Sequence, residues 1–189
     1  LFSNIEKLVL ARNDANQTVD MAGLNGVAGG GGLVQEVWVQ PTSNVAGLTS
    51  ILNLASDLGQ KVVISNGGLP IPVGSWNATN GYVGDVTITT RIDDEANNRT
   101  VEVDLNAGRT INSVMAVGEL NISDNSIGVS SVEVVRLTST GAAGSRNAVQ
   151  SFEAPDAELL RIVGDRDLAL HIADDQLYSS RGVIDVRAN

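Results

Sequence analysis

The chain contains no cysteine and only one histidine, and these two scarcities remove several common catalytic designs. Without cysteine there is neither a disulfide framework nor a thiolate nucleophile. Aromatic residues make up only 3% of the chain, so aliphatic side chains must fill the core. No apolar run reaches the roughly 18 residues that a membrane-spanning helix needs, and we therefore expect no membrane span.

Basic residues are also few, since 12 Lys and Arg stand against 22 Asp and Glu and give a formal net charge of −10. This balance predicts an acidic surface. A non-specific grip on nucleic acid or on anionic lipid requires clustered positive charge. We therefore expect no direct nucleic-acid binding.

The length and the hydrophobic content fit a single folded domain. The chain has 189 residues, 42% of them hydrophobic, which is enough to build a core without staples. The sequence predicts one all-β domain over residues 1–189. Residues 22–32, AGLNGVAGGGG, predict a flexible glycine-rich segment within it.

Alternating polar and apolar residues between polar loops dominate the rest of the chain. The clearest alternation lies in residues 33–40, 85–92 and 100–105, and the polar residues 93–99 read as a hairpin loop. Eight to eleven such strands, spaced by about ten to fifteen residues, favour a mainly β fold. We expect an antiparallel sandwich or a single jelly roll.

One segment, residues 43–58, predicts a helix. Apolar residues recur there at helical spacing, Thr42 or Ser43 can cap its start, and Gly59 suits a left-handed stop. Its only charged residue is Asp57. A helix so poor in charge is expected to be covered, for instance by a neighbouring subunit.

Acidic residues cluster at three places that are weak candidates for Ca²⁺. Hard cations need several oxygen ligands from one tight loop, and none of the clusters matches the D-x-[DN]-x-[DN]-G pattern. Solvated turn carboxylates are the competing interpretation, so the metal ligands stay unassigned and no other cofactor is expected. The candidates are Asp93, Asp94, Glu95, Asp165, Asp167, Asp174 and Asp175.

No catalytic constellation is recognisable. His171 would have to act as the one general base, and the G-x-S-x-G nucleophile motif is absent. The glycine-rich segment lacks a following Lys-Ser or Lys-Thr and leads into a strand, so it is not a phosphate-binding loop. We therefore expect a protein that is not an enzyme.

The remaining features favour self-assembly as a structural subunit, with copies of itself and other subunits of the same assembly as partners. The case we favour is a virion coat protein (capsid, decoration or tail-tube) of a phage or an archaeal virus, located in the virion or at an extracellular surface. This is an analogy at the level of fold class. The candidate interface residues are Trp38, Val45, Leu48, Leu52 and Trp76.

A secreted or cell-surface module is the alternative. Four Asn-X-Ser/Thr sites would suit an exterior location, and acidic loops of a β-sandwich can bind Ca²⁺. This alternative is an adhesion or glycan-binding module, with or without a Ca²⁺ requirement.

Overall fold

The computed structural model describes residues 6–12, 16–24, 34–41, 47–66, 82–91, 100–108, 111–124, 132–177 and 183–186. Within these ranges the backbone forms thirteen β-strands, two 3-10 turns (Met21–Gly23 and Ser56–Leu58) and no α-helix. The strands are β1 (Lys7–Arg12), β2 (Gln17–Asp20), β3 (Glu36–Pro41), β4 (Leu48–Leu54), β5 (Lys61–Ser65), β6 (Tyr82–Thr90), β7 (Thr100–Asn106), β8 (Val114–Asp124), β9 (Val134–Thr140), β10 (Arg146–Ala154), β11 (Leu159–Gly164), β12 (Asp167–Leu177) and β13 (Val183–Val186).

Consecutive strands alternate between two sheets. The odd-numbered strands lie in sequence order in a seven-stranded sheet, sheet A, and the even-numbered strands in a six-stranded sheet, sheet B. Every neighbouring pair in either sheet is parallel. One strand of each sheet therefore makes one coil, and the described chain winds as a two-sheeted parallel β-solenoid.

This topology confirms mainly β structure but shows that the antiparallel sandwich and the jelly roll are wrong. The strands β6 and β7, which the sequence predicted as a hairpin, lie in different sheets and pair with other strands. Residue alternation reports which face of a strand is buried, and it carries no information about which strand lies beside it. A polar loop can connect two strands of a hairpin or two strands of different sheets, so it does not identify a hairpin.

The predicted helix over 43–58 is also wrong, because Leu48–Leu54 is strand β4 and Ser56–Leu58 is a 3-10 turn. A bulge explains the misleading helical spacing. The pairing register with β6 shifts between Ile51 and Leu54, and Asn53 there has a φ of 56°. The extra residue brings both Ile51 and Leu54 into the core at a separation of three residues. Residues 43–46 of this segment, and the possible cap Thr42, lie outside the described part.

The parallel register stacks the inward side chains into aliphatic columns that run through the coils. Along sheet A one column consists of Leu8, Val37, Val62, Val103, Leu137, Ile162 and Val186. Along sheet B another contains Val86, Leu120, Phe152 and Ile172. Side chains from both sheets join in one hydrophobic core, and each buried aliphatic side chain contributes about 1.5–3 kcal/mol.

The single-domain prediction for residues 1–189 is not tested by this description and stays a prediction. Of the glycine-rich segment 22–32, only Ala22, Gly23 and Leu24 are described. Ala22 and Gly23 belong to the first 3-10 turn, and Leu24 donates its backbone N–H to Met21. The remainder of the segment lies outside the described residues.

Candidate functional site

The C-terminal end of the coil stack exposes aliphatic side chains on a strand edge. Strand β13 is the last strand of sheet A and hydrogen-bonds only to β11 among the described strands. Its residues Val183, Ile184 and Val186 are 57%, 50% and 68% exposed. An unpaired edge presents free backbone N–H and C=O groups and is a template for another strand. Aliphatic exposure at such an edge marks a contact surface.

A cleft lies beside this edge. It has a volume of about 290 Å³, and its apolar wall includes Ile162 and Val186 of sheet A with Leu168 and Leu170 of sheet B. Sheet B ends at β12, so no described strand of sheet B faces β13 across the core. The inner side of β13 is therefore partly exposed, as the values for Ile184 and Val186 show.

Near the N-terminal side of the described stack, the first 3-10 turn is anchored to the core. Met21, in the first 3-10 turn, is fully buried and packs in the core. Asp20 holds this turn, because its Oδ1 accepts hydrogen bonds from the Ala22 N–H at 2.9 Å and from Asn53 Nδ2 at 2.7 Å. The hydrogen bond from Asn53 and then that from Ala22 lower the pKa of Asp20. In sheet A, however, β1 has no described strand on its outer side.

Charged side chains stack along the outer face of sheet A and join its two ends. We call this set the charge column. One residue of each strand occupies it, at the same register position, and in chain order these residues are Lys7, Glu36, Lys61, Glu102, Arg136, Arg161 and Asp185. The sign alternates at every step except the one from Arg136 to Arg161. Opposite charges on adjacent strands stabilise a sheet, and like charges destabilise it.

Ion pairs form within the charge column. Lys61 Nζ lies 3.1 Å from Glu36 Oε1 and 3.1 Å from Asp104 Oδ2 of the neighbouring strand. Arg136 lies 3.3 Å from Glu102. At the C-terminal end, Arg161 Nε lies 3.4 Å from Asp185 Oδ2.

Glu36 and Lys61 titrate away from their ordinary ranges. The hydrogen bond from the Trp38 indole and the contacts with Lys61 outweigh partial burial and lower the pKa of Glu36. Partial burial acts to lower the pKa of Lys61, but hydrogen bonds to Asp104 and Glu36 outweigh it and raise that pKa. Both shifts favour the charged forms, so Glu36 and Lys61 stay ionised over the neutral pH range.

The calcium candidates are not gathered into a site by the described structure. Asp165 pairs with Arg166 at 3.1 Å and Asp167 with Arg146 at 3.8 Å. No group of three or more metal-ligating side chains occurs among the described residues. The backbone of Asp174 and Asp175 belongs to β12, and Asp93, Asp94 and Glu95 lie outside the described residues.

Three of the predicted interface residues are described, and they lie apart from β13. Trp38 is half-buried on β3 at the outer face of sheet A, where Lys7 Nζ lies 3.3 Å from its ring centre. Leu48 and Leu52 are half-buried on β4, one strand from the β2 edge of sheet B. Val45 and Trp76 lie outside the described residues. The exposed residues of β13 were recognised from sequence only as part of a strand, residues 182–186.

The one histidine makes a structural contact. His171 is exposed on β12, and its Nδ1 lies 3.0 Å from the Gln150 carbonyl oxygen of β10. It therefore links two strands of sheet B. The expectation that the protein is not an enzyme is not tested by this contact and stays a prediction.

A signal for the charge column is present in the sequence. Each of its seven members, including Asp185, directly precedes one residue of the aliphatic column of sheet A. That column consists of Leu8, Val37, Val62, Val103, Leu137, Ile162 and Val186. A charged residue followed by an aliphatic one thus recurs once per coil. The interval between successive occurrences varies, so a search for a fixed period does not detect it.

Comparisons with known proteins add no family to this description. No family model matches the chain, and neither the curated proteins nor the solved structures contain a similar one. Among the described residues, no helix is long and apolar enough to cross a membrane. The functional argument therefore rests on the two ends of the coil stack and on the charge column.

Proposed function

We propose that this protein is a structural, non-enzymatic subunit that self-associates through the exposed aliphatic surface of β13. The observation that carries the proposal is the open edge of β13, where three aliphatic side chains are at least half exposed beside an apolar cleft. Aliphatic side chains on a strand edge form a contact surface that another strand can cover.

Parallel coils make this association additive. Each coil contacts its two neighbours alone, so another coil can join the end by the same backbone pairing and the same side-chain columns. A contact between two different surfaces of the subunit repeats from copy to copy and produces a ring or an extended assembly. Structural tiling needs such a repeated contact.

Two narrower predictions are not carried forward. The virion coat protein was favoured by analogy with a jelly roll, and parallel sheets contradict that fold. The adhesion or glycan-binding alternative assumed a β-sandwich, and the parallel sheets contradict that fold as well. The side chain of Lys7 already covers one face of the Trp38 ring on β3, so that face is not free to stack on a sugar.

Light scattering after size exclusion tests the proposed function. The unmodified chain is expected to exceed its monomer mass of 19.7 kDa, and to do so increasingly with concentration. The double variant Ile184→Lys/Val186→Lys places charge on the open edge and is expected to shift the population to monomer.

The matched control is Ile111→Lys. Ile111 is 67% exposed, as these edge residues are, but lies between β7 and β8 in the middle of the stack. It is expected to assemble as the unmodified chain does. A monomer at every concentration and salt level for the unmodified chain would overturn the proposal, as would equal assembly of the edge variant.

A further inference from the structure

The outer face of sheet B carries a regular set of uncharged polar side chains, which we call the polar grid. The parallel register arranges them in two rows that cross the strands. The first row crosses β2, β4, β6 and β8, and the second crosses β6 and β8. The first row consists of Thr18, Ser50, Thr87 and Asn121, and the second of Thr89 and Ser123.

Backbone pairing fixes the spacing of the polar grid. Neighbouring strands lie about 4.8 Å apart, and alternate residues of one strand point to the same side about 6.6 Å apart. From Val86 to Thr90 the pairing of β6 with β8 runs without a register shift, and Ile88 and Ile122 beneath the rows are fully buried. The close-packed core therefore holds the grid in place from below. The branched side chain of Thr is also stiff about χ1, so its hydroxyl has little freedom.

The hydroxyl groups of the polar grid have no partner inside the part of the chain that the structure describes. Thr18 is exposed, and the other members are half-buried. Asn121 is engaged through its Nδ2, which donates a 2.9 Å hydrogen bond to Glu153 Oε2 on the β10 side of the grid. The residues whose hydroxyls form no hydrogen bond there are Thr18, Ser50, Thr87, Thr89 and Ser123. These hydroxyls are available to a ligand that approaches the outer face of sheet B.

The chemistry of the polar grid excludes several classes of ligand. Its six members carry no charge, whereas the outer face of sheet A carries the charge column. A hard cation requires several carboxylate or carbonyl ligands in one tight site, and nucleic acid requires clustered positive charge. A sugar ring is usually bound by stacking on an aromatic side chain, and the grid contains none. The matching ligand presents uncharged hydrogen-bond donors and acceptors at fixed spacing.

We propose that the polar grid binds the surface of ice. Each water molecule of ice both donates and accepts hydrogen bonds, as a hydroxyl does. Oxygen atoms on the prism face of hexagonal ice repeat along two perpendicular directions, at spacings close to the two spacings of the grid. Because the grid is rigid, little conformational entropy is lost when it binds. This inference goes beyond self-association and rests on a different surface from that of β13.

Partition of the protein between slowly grown ice and the remaining liquid tests the proposal. The unmodified chain is expected to be enriched in the ice fraction. Thr87→Tyr places a bulky ring in the middle of the first row, while Tyr remains favourable on a strand. This variant is expected to enter ice about tenfold less, because the ring prevents flat contact with the crystal. The gap between melting and freezing temperatures should fall in parallel.

The matched control is Thr138→Tyr. Thr138 is half-buried on β9 and lies two residues after Arg136, on the outer face of sheet A. This variant is expected to enter ice as the unmodified chain does. Ser123→Tyr is a second grid variant, on the neighbouring strand, and should lose ice binding as Thr87→Tyr does. Circular dichroism and light scattering establish that the compared variants have the same fold and the same assembly state.

The outcomes are distinct from those for self-association. Enrichment of the unmodified chain and of Thr138→Tyr, with loss in both grid variants, supports the inference. Exclusion of the unmodified chain from ice overturns it, as does equal incorporation of Thr87→Tyr and Thr138→Tyr. Binding to insoluble cellulose or chitin without enrichment in ice also overturns it and assigns the face to a polysaccharide. None of these results changes the mass of the assembly, which tests the proposed function separately.

Discussion

The indole nitrogen of Trp38 donates a 2.8 Å hydrogen bond to Oε2 of Glu36, two residues earlier on the same strand. The ring of Trp38 also lies beneath Lys7 of β1, and Glu36 pairs with Lys61 of β5. One aromatic side chain thereby connects charged groups on three neighbouring strands near the N-terminal end of sheet A.

The first prediction concerns this hydrogen bond. Trp38→Phe removes the N–H donor but keeps a ring, so the pKa of Glu36 should rise toward its ordinary value of 4.5. A carboxyl whose pKa is lower in the folded than in the unfolded chain stabilises the fold above the unfolded pKa. That contribution is lost as the pH falls through the folded pKa.

Urea unfolding from pH 3 to pH 8 measures the effect. Near neutral pH, the free energy of unfolding should be about 1 kcal/mol larger for the unmodified chain than for Trp38→Phe through this pH-dependent contribution. A hydrogen bond to a charged, partly exposed group contributes about that much. The difference should shrink below pH 4.5. In a Glu36→Gln background this pH dependence should vanish, and its persistence there would contradict the assignment.

The second prediction concerns Gly164, at the end of β11. Its φ is 127°, and a Cβ built on it would collide with the backbone oxygen of Ser139 on β9. Gly164→Ala should therefore destabilise the fold by roughly 3 kcal/mol or more, because backbone of the neighbouring coil must move. Gly23→Ala is the control, since no atom lies within 4 Å there. Equal denaturation midpoints for the two variants would refute this explanation.

The third prediction concerns the amide of Asn147, which is fully buried on β10. Its Nδ2 donates to the carbonyl oxygens of Leu105 and Thr140 at 3.1 Å and 3.0 Å, and to Ser139 Oγ at 2.9 Å. It thus joins backbone of β7 and β9 to a strand of sheet B. Asn147→Ala should cost about 1–3 kcal/mol, because it removes these buried hydrogen bonds between the strands.

Asn147→Asp adds a pH dependence that a cavity alone would not produce. Burial among carbonyl oxygens raises the pKa of the new carboxyl above its unfolded value. The variant is then least stable at neutral pH, and its deficit should shrink as the pH falls through the folded pKa. Thermal melts at pH 4 and pH 7 measure this, with Gln150→Glu at an exposed site of the same strand as control. A deficit that is independent of pH would contradict the proposed contacts.

The fourth prediction concerns the core column of sheet B. Phe152 is fully buried between Leu120 and Ile172 of the adjacent strands. Phe152→Ala should lower the free energy of unfolding by about 3–5 kcal/mol through lost burial and a residual cavity. Ile111→Ala, at a residue that is 67% exposed, should change it by less than about 0.5 kcal/mol. Guanidinium unfolding followed by circular dichroism distinguishes the two, and similar losses would place Phe152 outside the core.

The strands themselves follow from the sequence, but their partners do not. Residues 33–40, 85–92 and 100–105 alternate clearly and overlap β3, β6 and β7. In the parallel stack each of these strands pairs with strands two positions away in chain order. Such pairing can be predicted only by recognising which residues occupy the same position in successive coils. Loops of unequal length conceal those columns, since Glu36 and Lys61 are 25 residues apart whereas Lys61 and Glu102 are 41 apart.

The helix prediction failed for a local reason. A strand with a bulge near Asn53 mimics the spacing of a helix, and residue spacing alone cannot separate the two. The open edge at β13 is equally invisible in sequence. Val183, Ile184 and Val186 form an ordinary strand pattern, and only the position of that strand at the end of the stack leaves them exposed.

The mass of the unmodified chain in solution, measured by light scattering after size exclusion, tests the central claim most directly. Self-association through the exposed surface of β13 predicts a mass above 19.7 kDa that rises with concentration, and a lower mass for Ile184→Lys/Val186→Lys than for Ile111→Lys. A 19.7 kDa monomer under all conditions, or equal masses for the two variants, would contradict the account.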